Sequence, residues 1–159
     1  MRVRVIALVI AVSGCGEPPR VDVPRSPWSL RTPTDALYGI ESQVLTVYGE
    51  YGIRLVVACE ALRLRVHINW NRFVSNDLHR LVWRLDDGEL QEGEWYPSTD
   101  GHASFRLPDD TSFVQSLLDH DRLVIRVVPE NRSPVTASFR IAGLRGSIQP
   151  LLAGCRLNL

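Results

Sequence analysis

The chain is 159 residues long, 45% hydrophobic and 8% aromatic, which is enough apolar surface for one packed domain and too little length for two. Acidic and basic residues number 18 each, so the net charge is zero and no global field recruits nucleic acid or an anionic surface. Every basic residue is Arg, which excludes Schiff-base chemistry and a phosphate-binding Walker lysine.

The chain opens with Arg2 and Arg4, continues as the apolar run 5–12, and reaches the small residues Ser13-Gly14 immediately before Cys15. These are the three regions of a secretory signal. The run is well short of the roughly twenty apolar residues that span a bilayer, so 1–14 read as a cleaved signal peptide. Val12-Ser13-Gly14-Cys15 resembles the lipobox of bacterial lipoproteins, with Cys15 as the lipidated residue and mature N-terminus. The alternative is an ordinary signal peptide with an incidental cysteine. Each buried acyl methylene contributes about 0.8 kcal/mol, so several fatty acyl chains such as palmitate on Cys15 hold a domain at a membrane surface. Gly16 instead of Asp points to the outer membrane. A proline-rich tether is expected over 15–40, followed by one β-rich domain over 41–159; Pro18, Pro19, Pro24, Pro27 and Pro33 lie in the tether. Trp28 marks where the tether begins to pack on the domain.

Short β-patterned runs follow. Leu62, Leu64, Val66, Ile68 and Trp70 alternate with Arg63, Arg65, His67 and Asn69, the period-two signal of a strand with one buried face. Further strands are expected over 42–48, 54–59, 80–86, 94–97, 103–107, 122–128 and 136–141. Turn signals at 49–52, 86–88, 100–101 and 129–134 separate them. The pattern predicts a mainly β (α+β) fold: an antiparallel, sandwich-like domain with two short helices. The first, near 110–120, has acidic residues Asp109 and Asp110 at its start and Phe113, Val114, Leu117 and Leu118 on one face. The second, over 144–154, carries Leu144, Ile148, Leu151, Leu152 and Cys155 on one stripe, with Pro150 expected to kink it.

With Cys15 committed to lipid, export to an oxidising compartment favours a Cys59–Cys155 disulfide. A catalytic or metal-binding thiol is the alternative; neither cysteine has an adjacent His or a C-x-x-C partner.

The order of motifs resembles the TagO/VasI family of type VI secretion system-associated proteins. The residues that carry the resemblance are Trp28 before Thr-Pro-Thr-Asp, the strands at 55–59 and 62–70, Val82-Trp83-Arg84-Leu85-Asp86, and Trp95-Tyr96-Pro97-Ser98-Thr99-Asp100-Gly101. Leu117-Leu118, 123–127, Ala137-Ser138-Phe139, Gly143-Leu144 and Cys155 continue it, so it covers about 28–155. The resemblance implies an accessory envelope protein without an established catalytic role, encoded near a contractile secretion apparatus.

Reactive constellations are weak. His67 shares a polar strand face with Arg63 and Arg65, and His79, His102 and His120 lack metal-ligand spacing, so no metal and no cofactor are expected. Ser98, Asp100 and His102 suggest a triad, but real triads converge from distant segments. Asp109, Asp110, Asp119 and Asp121 fit helix termini, and Asn131-Arg132-Ser133 fits a turn. Arg63, Arg65, Arg84, Arg126 and Arg140 would form one basic face if their strands were neighbours, able to grip carboxylate or phosphate bidentately; ordinary surface pairing is the rival account.

These observations lead to a non-enzymatic, lipid-anchored envelope protein on the periplasmic face of the outer membrane. It would act by binding a protein partner, as an accessory of type VI secretion, with no nucleic acid and no small-molecule substrate. An immunity or inhibitor lipoprotein against a toxic enzyme is the first alternative. A cell-wall hydrolase is the second, and the motifs supply no convergent catalytic groups for it.

Overall fold

A computed structural model describes residues 26–108, 110–129 and 132–159. The signal peptide, Cys15, the first part of the tether, Asp109 and Asn131 lie outside the described residues.

The strands are β1 (Ser29–Arg31), β2 (Gln43–Tyr48), β3 (Arg54–Glu60), β4 (Arg63–Asn69), β5 (His79–Leu85), β6 (Gln91–Pro97), β7 (Ala103–Phe105), β8 (Arg122–Val127) and β9 (Val135–Arg140). Three short helices, α1 (Asp110–Leu117), α2 (Leu144–Ser147) and α3 (Gln149–Cys155), accompany them. The strand order is β1-β2-β3-β4-β7-β6-β5-β8-β9, and all pairs are antiparallel. The fold is therefore mainly β and sandwich-like.

β6 makes the corner between the layers. Its residues Gln91 to Trp95 pair with β5, whereas Tyr96 and Pro97 pair with Phe105 and Ser104 of β7. A strand that changes partners along its length lets one sheet fold back on itself. At the far end β9 returns towards β2. Gly49 permits this approach, because a Cβ there would lie 2.8 Å from the Ser138 carbonyl oxygen.

Alternation decides what the layers bury. Leu64, Val66 and Ile68 of β4 point inward with Leu55 and Val57 of β3, and face Leu81, Trp83, Leu123, Ile125 and Phe139 across a single hydrophobic cluster. α1 closes one end: its Phe113 ring stands edge-on to Trp83 at 5.6 Å and Trp95 at 5.3 Å. α3 covers β2 and β3 through buried Leu151, Leu152 and Cys155. Cys155 is bonded to Cys59 of β3.

Two boundaries differ from the sequence reading. The folded body reaches back before residue 41, because Trp28 is buried in the core and β1 pairs with β2. The C-terminal helical segment is divided at Ile148, and Pro150 stands in the first turn of α3, where the missing N–H has no intrahelical partner to lose.

Candidate functional site

The strand order separates the five arginines expected on one face. Arg63 and Arg65 lie on β4, while Arg84, Arg126 and Arg140 lie on β5, β8 and β9, with β7 and β6 in between. β4 spends its second edge on β7, so the basic face divides into two groups.

On β4, Arg65 is partly neutralised. Its guanidinium stands 3.5 Å from the buried carboxylate of Asp110, which also accepts the Val66 N–H at 2.7 Å. Asp110 thus does more than begin a helix: it joins α1 to β4. Burial pushes its carboxyl above the usual range, against the opposing pull of the Val66 hydrogen bond and the Arg65 charge. A hollow of about 410 Å³ opens here between Leu62, Arg63, Arg65, Pro108 and Leu157.

On the outer face of β5-β8-β9, arginines and aliphatic residues alternate across the strands. Val82 is opposite Arg126, Arg84 is opposite Val124, and Arg126 is opposite Thr136. The Arg126 Nε donates to Thr136 Oγ1 at 2.9 Å, which fixes one edge of the guanidinium and leaves the rest facing outward. Nearby cations are committed elsewhere: Arg80 pairs with Glu92 at 3.1 Å and Arg122 with Asp87 at 2.8 Å. Among the described residues, Arg84, Arg126 and Arg140 form no ion pair. Val82, Trp83, Arg84, Leu90, Val124, Arg126 and Thr136 line a hollow of about 230 Å³. An apolar floor rimmed by two guanidinium groups is suited to a ligand that carries carboxylate or phosphate beside an aliphatic group.

The remaining polar clusters have structural explanations. Ser98 Oγ donates to Asp100 Oδ1 at 2.6 Å and accepts the Ala103 N–H at 2.9 Å. The His102 ring instead contacts the Asp100 carbonyl at 2.7 Å. These bonds build the β6–β7 turn and leave the hydroxyl without an imidazole base. A different Ser–His pair had no sequence signal: His79 Nε2 lies 2.6 Å from Ser104 Oγ, and Ser104 also accepts the indole N–H of Trp70 at 2.8 Å. Ser104 is fully buried, so this network joins β5 to β7 inside the core. His120 Nδ1 meets Asp86 Oδ2 at 2.7 Å. That bond, foremost, with the N–H groups of Arg122 and Asp121, holds the Asp86 carboxyl below the ordinary range.

His67 lies on the outer face of β4 beside Phe105, with ring centroids 4.8 Å apart. Its Nδ1 has no hydrogen-bond partner among the described residues. Burial, and then the Arg54 charge, lower its pKa to about 4. Among the described residues no group of three or more His, Cys, Asp and Glu gathers as metal ligands, and no helix is long and apolar enough to cross a membrane.

No family model matches the chain, and no curated protein matches it either. In fold the chain is similar to invasion associated protein B from Bartonella henselae, with a TM-score of 0.58 and 11% identity, covering 82% of this chain and 95% of that one. At that identity the likeness concerns the fold.

Proposed function

We propose that this protein is a lipoprotein of the cell envelope that acts by binding, anchored through acyl chains on Cys15 to the periplasmic face of the outer membrane. It serves as an accessory of type VI secretion, as the resemblance of its motif order to the TagO/VasI family implies. One observation carries the reading: Cys15 follows the short apolar run and the small pair Ser13-Gly14, and the other two cysteines of the chain are bonded to each other in the folded body. A disulfide between residues separated by 96 positions supports folding in an oxidising compartment. The partner surface is the outer face of β5-β8-β9, where Arg84 and Arg126 rim an aliphatic floor.

The test is metabolic labelling with an alkynyl fatty acid. Label is expected on the wild-type protein and absent from Cys15→Ser. In a cell whose neighbouring genes encode the contractile apparatus, deleting the gene is expected to reduce release of tube subunits into the medium, and the Cys15→Ser copy not to restore it. Labelling without any change in release would retain the anchor and reject the secretion role.

A further inference from the structure

We infer that the hairpin tip carrying Leu37, Tyr38 and Ile40 is a second membrane contact, which seats the domain on the lipid surface that holds the Cys15 anchor. The inference rests on the anchored-lipoprotein reading above.

The tip is built to hold apolar side chains outward. Thr34 and Glu41 bridge its base, and the Ser42 N–H donates to the Pro33 carbonyl at 3.0 Å. Within it the Asp35 N–H donates to the Ile40 carbonyl at 2.8 Å, and the Gly39 N–H to the Asp35 carbonyl at 2.9 Å. Asp35 Oδ1 accepts the Leu37 and Tyr38 N–H groups at 2.9 and 2.7 Å. Gly39 turns the chain at φ +65, with open space around it. The N–H groups of Asp35, Leu37, Tyr38 and Gly39 are therefore satisfied within the turn, which lowers the cost of bringing this segment against an apolar phase.

On this frame Leu37, Tyr38 and Ile40 are 79%, 75% and 61% exposed. Three large apolar residues displayed together on an ordered turn mark a contact surface. Their chemistry favours a bilayer over a protein pocket: a tyrosine with an apolar ring and a polar tip suits the headgroup level, with aliphatic neighbours reaching below it. The formal charges of Arg31, Asp35 and Glu41 sum to −1, so the contact rests on burying the apolar side chains and not on attraction to an anionic surface.

The position of the anchor completes the argument. Ten residues, 16–25, separate Cys15 from the first described residue, and fully extended they reach about 35 Å. Trp28 is fixed in the core, and Leu37 lies nine residues beyond it, at most about 30 Å along the chain. The tether is thus long enough for the acyl chains and the tip to enter the same membrane. The 3-10 turn Glu50–Gly52 follows the far end of β2, and Tyr51 there is also exposed, at 76%.

The test places a tryptophan at each end of β2 in the full chain, as Tyr38→Trp and Tyr51→Trp. The four native tryptophans are 0 to 8% exposed and give a constant background. Protein purified from membranes is reconstituted with phosphatidylethanolamine–phosphatidylglycerol vesicles carrying brominated acyl chains. Emission from the residue-38 indole is expected to be roughly halved by the bromines, with the residue-51 indole unchanged. Equal quenching at both sites, or none at residue 38, overturns the inference. A blue shift at residue 38 without quenching also overturns it, assigning the tip to a protein partner or a second copy. The mass of the purified chain reports acylation separately. If Cys15 is unmodified, the same pair of variants mixed with vesicles still decides whether the tip enters lipid.

Discussion

The indole N–H of Trp28 donates a hydrogen bond to the carbonyl of Ile141 at 3.1 Å, across 113 positions of the chain. It fastens the segment before β1 to the residue that follows β9, and Trp28 itself is buried. The Ile141 carbonyl also accepts the Leu144 N–H at 3.2 Å, so removing the indole donor leaves that oxygen partnered. Trp28→Phe is therefore expected to cost only about 1 kcal/mol, whereas Trp28→Ala opens a cavity and costs about 3 to 5 kcal/mol. Urea unfolding checks both values, with an unchanged slope showing that the unfolded states are comparable.

The disulfide acts on a longer loop. Closing the separation of 96 residues restricts the unfolded chain and contributes about 4 to 5 kcal/mol on the loop-entropy model. Cys59→Ala with Cys155→Ala is expected to lower stability by an amount of that order. α3 is held to β3 by this bond and by Leu151 and Leu152, so it should loosen first. Hydrogen exchange in 149–155 should then rise in the double variant before exchange in β8 does.

Asp110 separates the effect of charge from that of hydrogen bonding. Its folded pKa is raised, chiefly by burial, so ionisation at neutral pH costs stability, and the cost is relieved as pH falls through that raised pKa. Asp110→Asn keeps an acceptor for the Val66 N–H and removes the charge, and is expected to change stability by less than about 1 kcal/mol. Asp110→Ala leaves the Val66 N–H unpaired and is expected to cost about 1 to 3 kcal/mol. Equilibrium unfolding of the two variants at neutral pH makes the comparison.

His67 gives the opposite pH dependence. Its pKa is about 4 in the fold against an ordinary value of 6.5, so between those values the unfolded chain binds the extra proton. The contribution of His67 is complete above pH 6.5 and is lost as pH falls through 4, by roughly 3 kcal/mol in all. His67→Gln is expected to flatten this dependence between pH 6.5 and 4.5. Melting temperatures of both proteins across that window test it.

The parts of this fold that could be read from the chain are those with local periodicity. β4 is legible because Leu64, Val66 and Ile68 alternate with polar residues that face outward. α1 is legible because Phe113, Val114 and Leu117 recur on one helical face and are all buried. β1 carries no such signal: Ser29, Leu30 and Arg31 are all exposed, and only pairing with β2 makes them a strand. Non-local pairing was equally hidden. That β4 lies beside β7 and not beside β5 follows from β6 changing partners, which no residue of β4 encodes, and it separates Arg63 and Arg65 from Arg84. The Asp86–His120 contact joins residues 34 positions apart, with no motif to announce it.

That division of the arginines can be tested by charge reversal in two places. Arg84 and Arg126 are diagonal neighbours across β5 and β8, exposed, and rim an aliphatic hollow; Arg63 and Arg65 lie beyond β6 and β7. A fluorescent peptide alternating Glu with Leu would place carboxylates against the first pair while its aliphatic side chains meet Val82 and Val124. Arg84→Glu with Arg126→Glu is expected to weaken its binding by about tenfold or more, since each lost charged hydrogen bond is worth about 1.5 to 3 kcal/mol. Stability should change by no more than about 0.5 kcal/mol, as befits exposed positions. Arg63→Glu is expected to leave binding unchanged, and raising the salt to weaken wild-type binding as screening grows. Equal losses from Arg63→Glu and from the double variant, read by fluorescence anisotropy, would mean that general surface charge governs binding and that the β5-β8-β9 hollow has no special part in it.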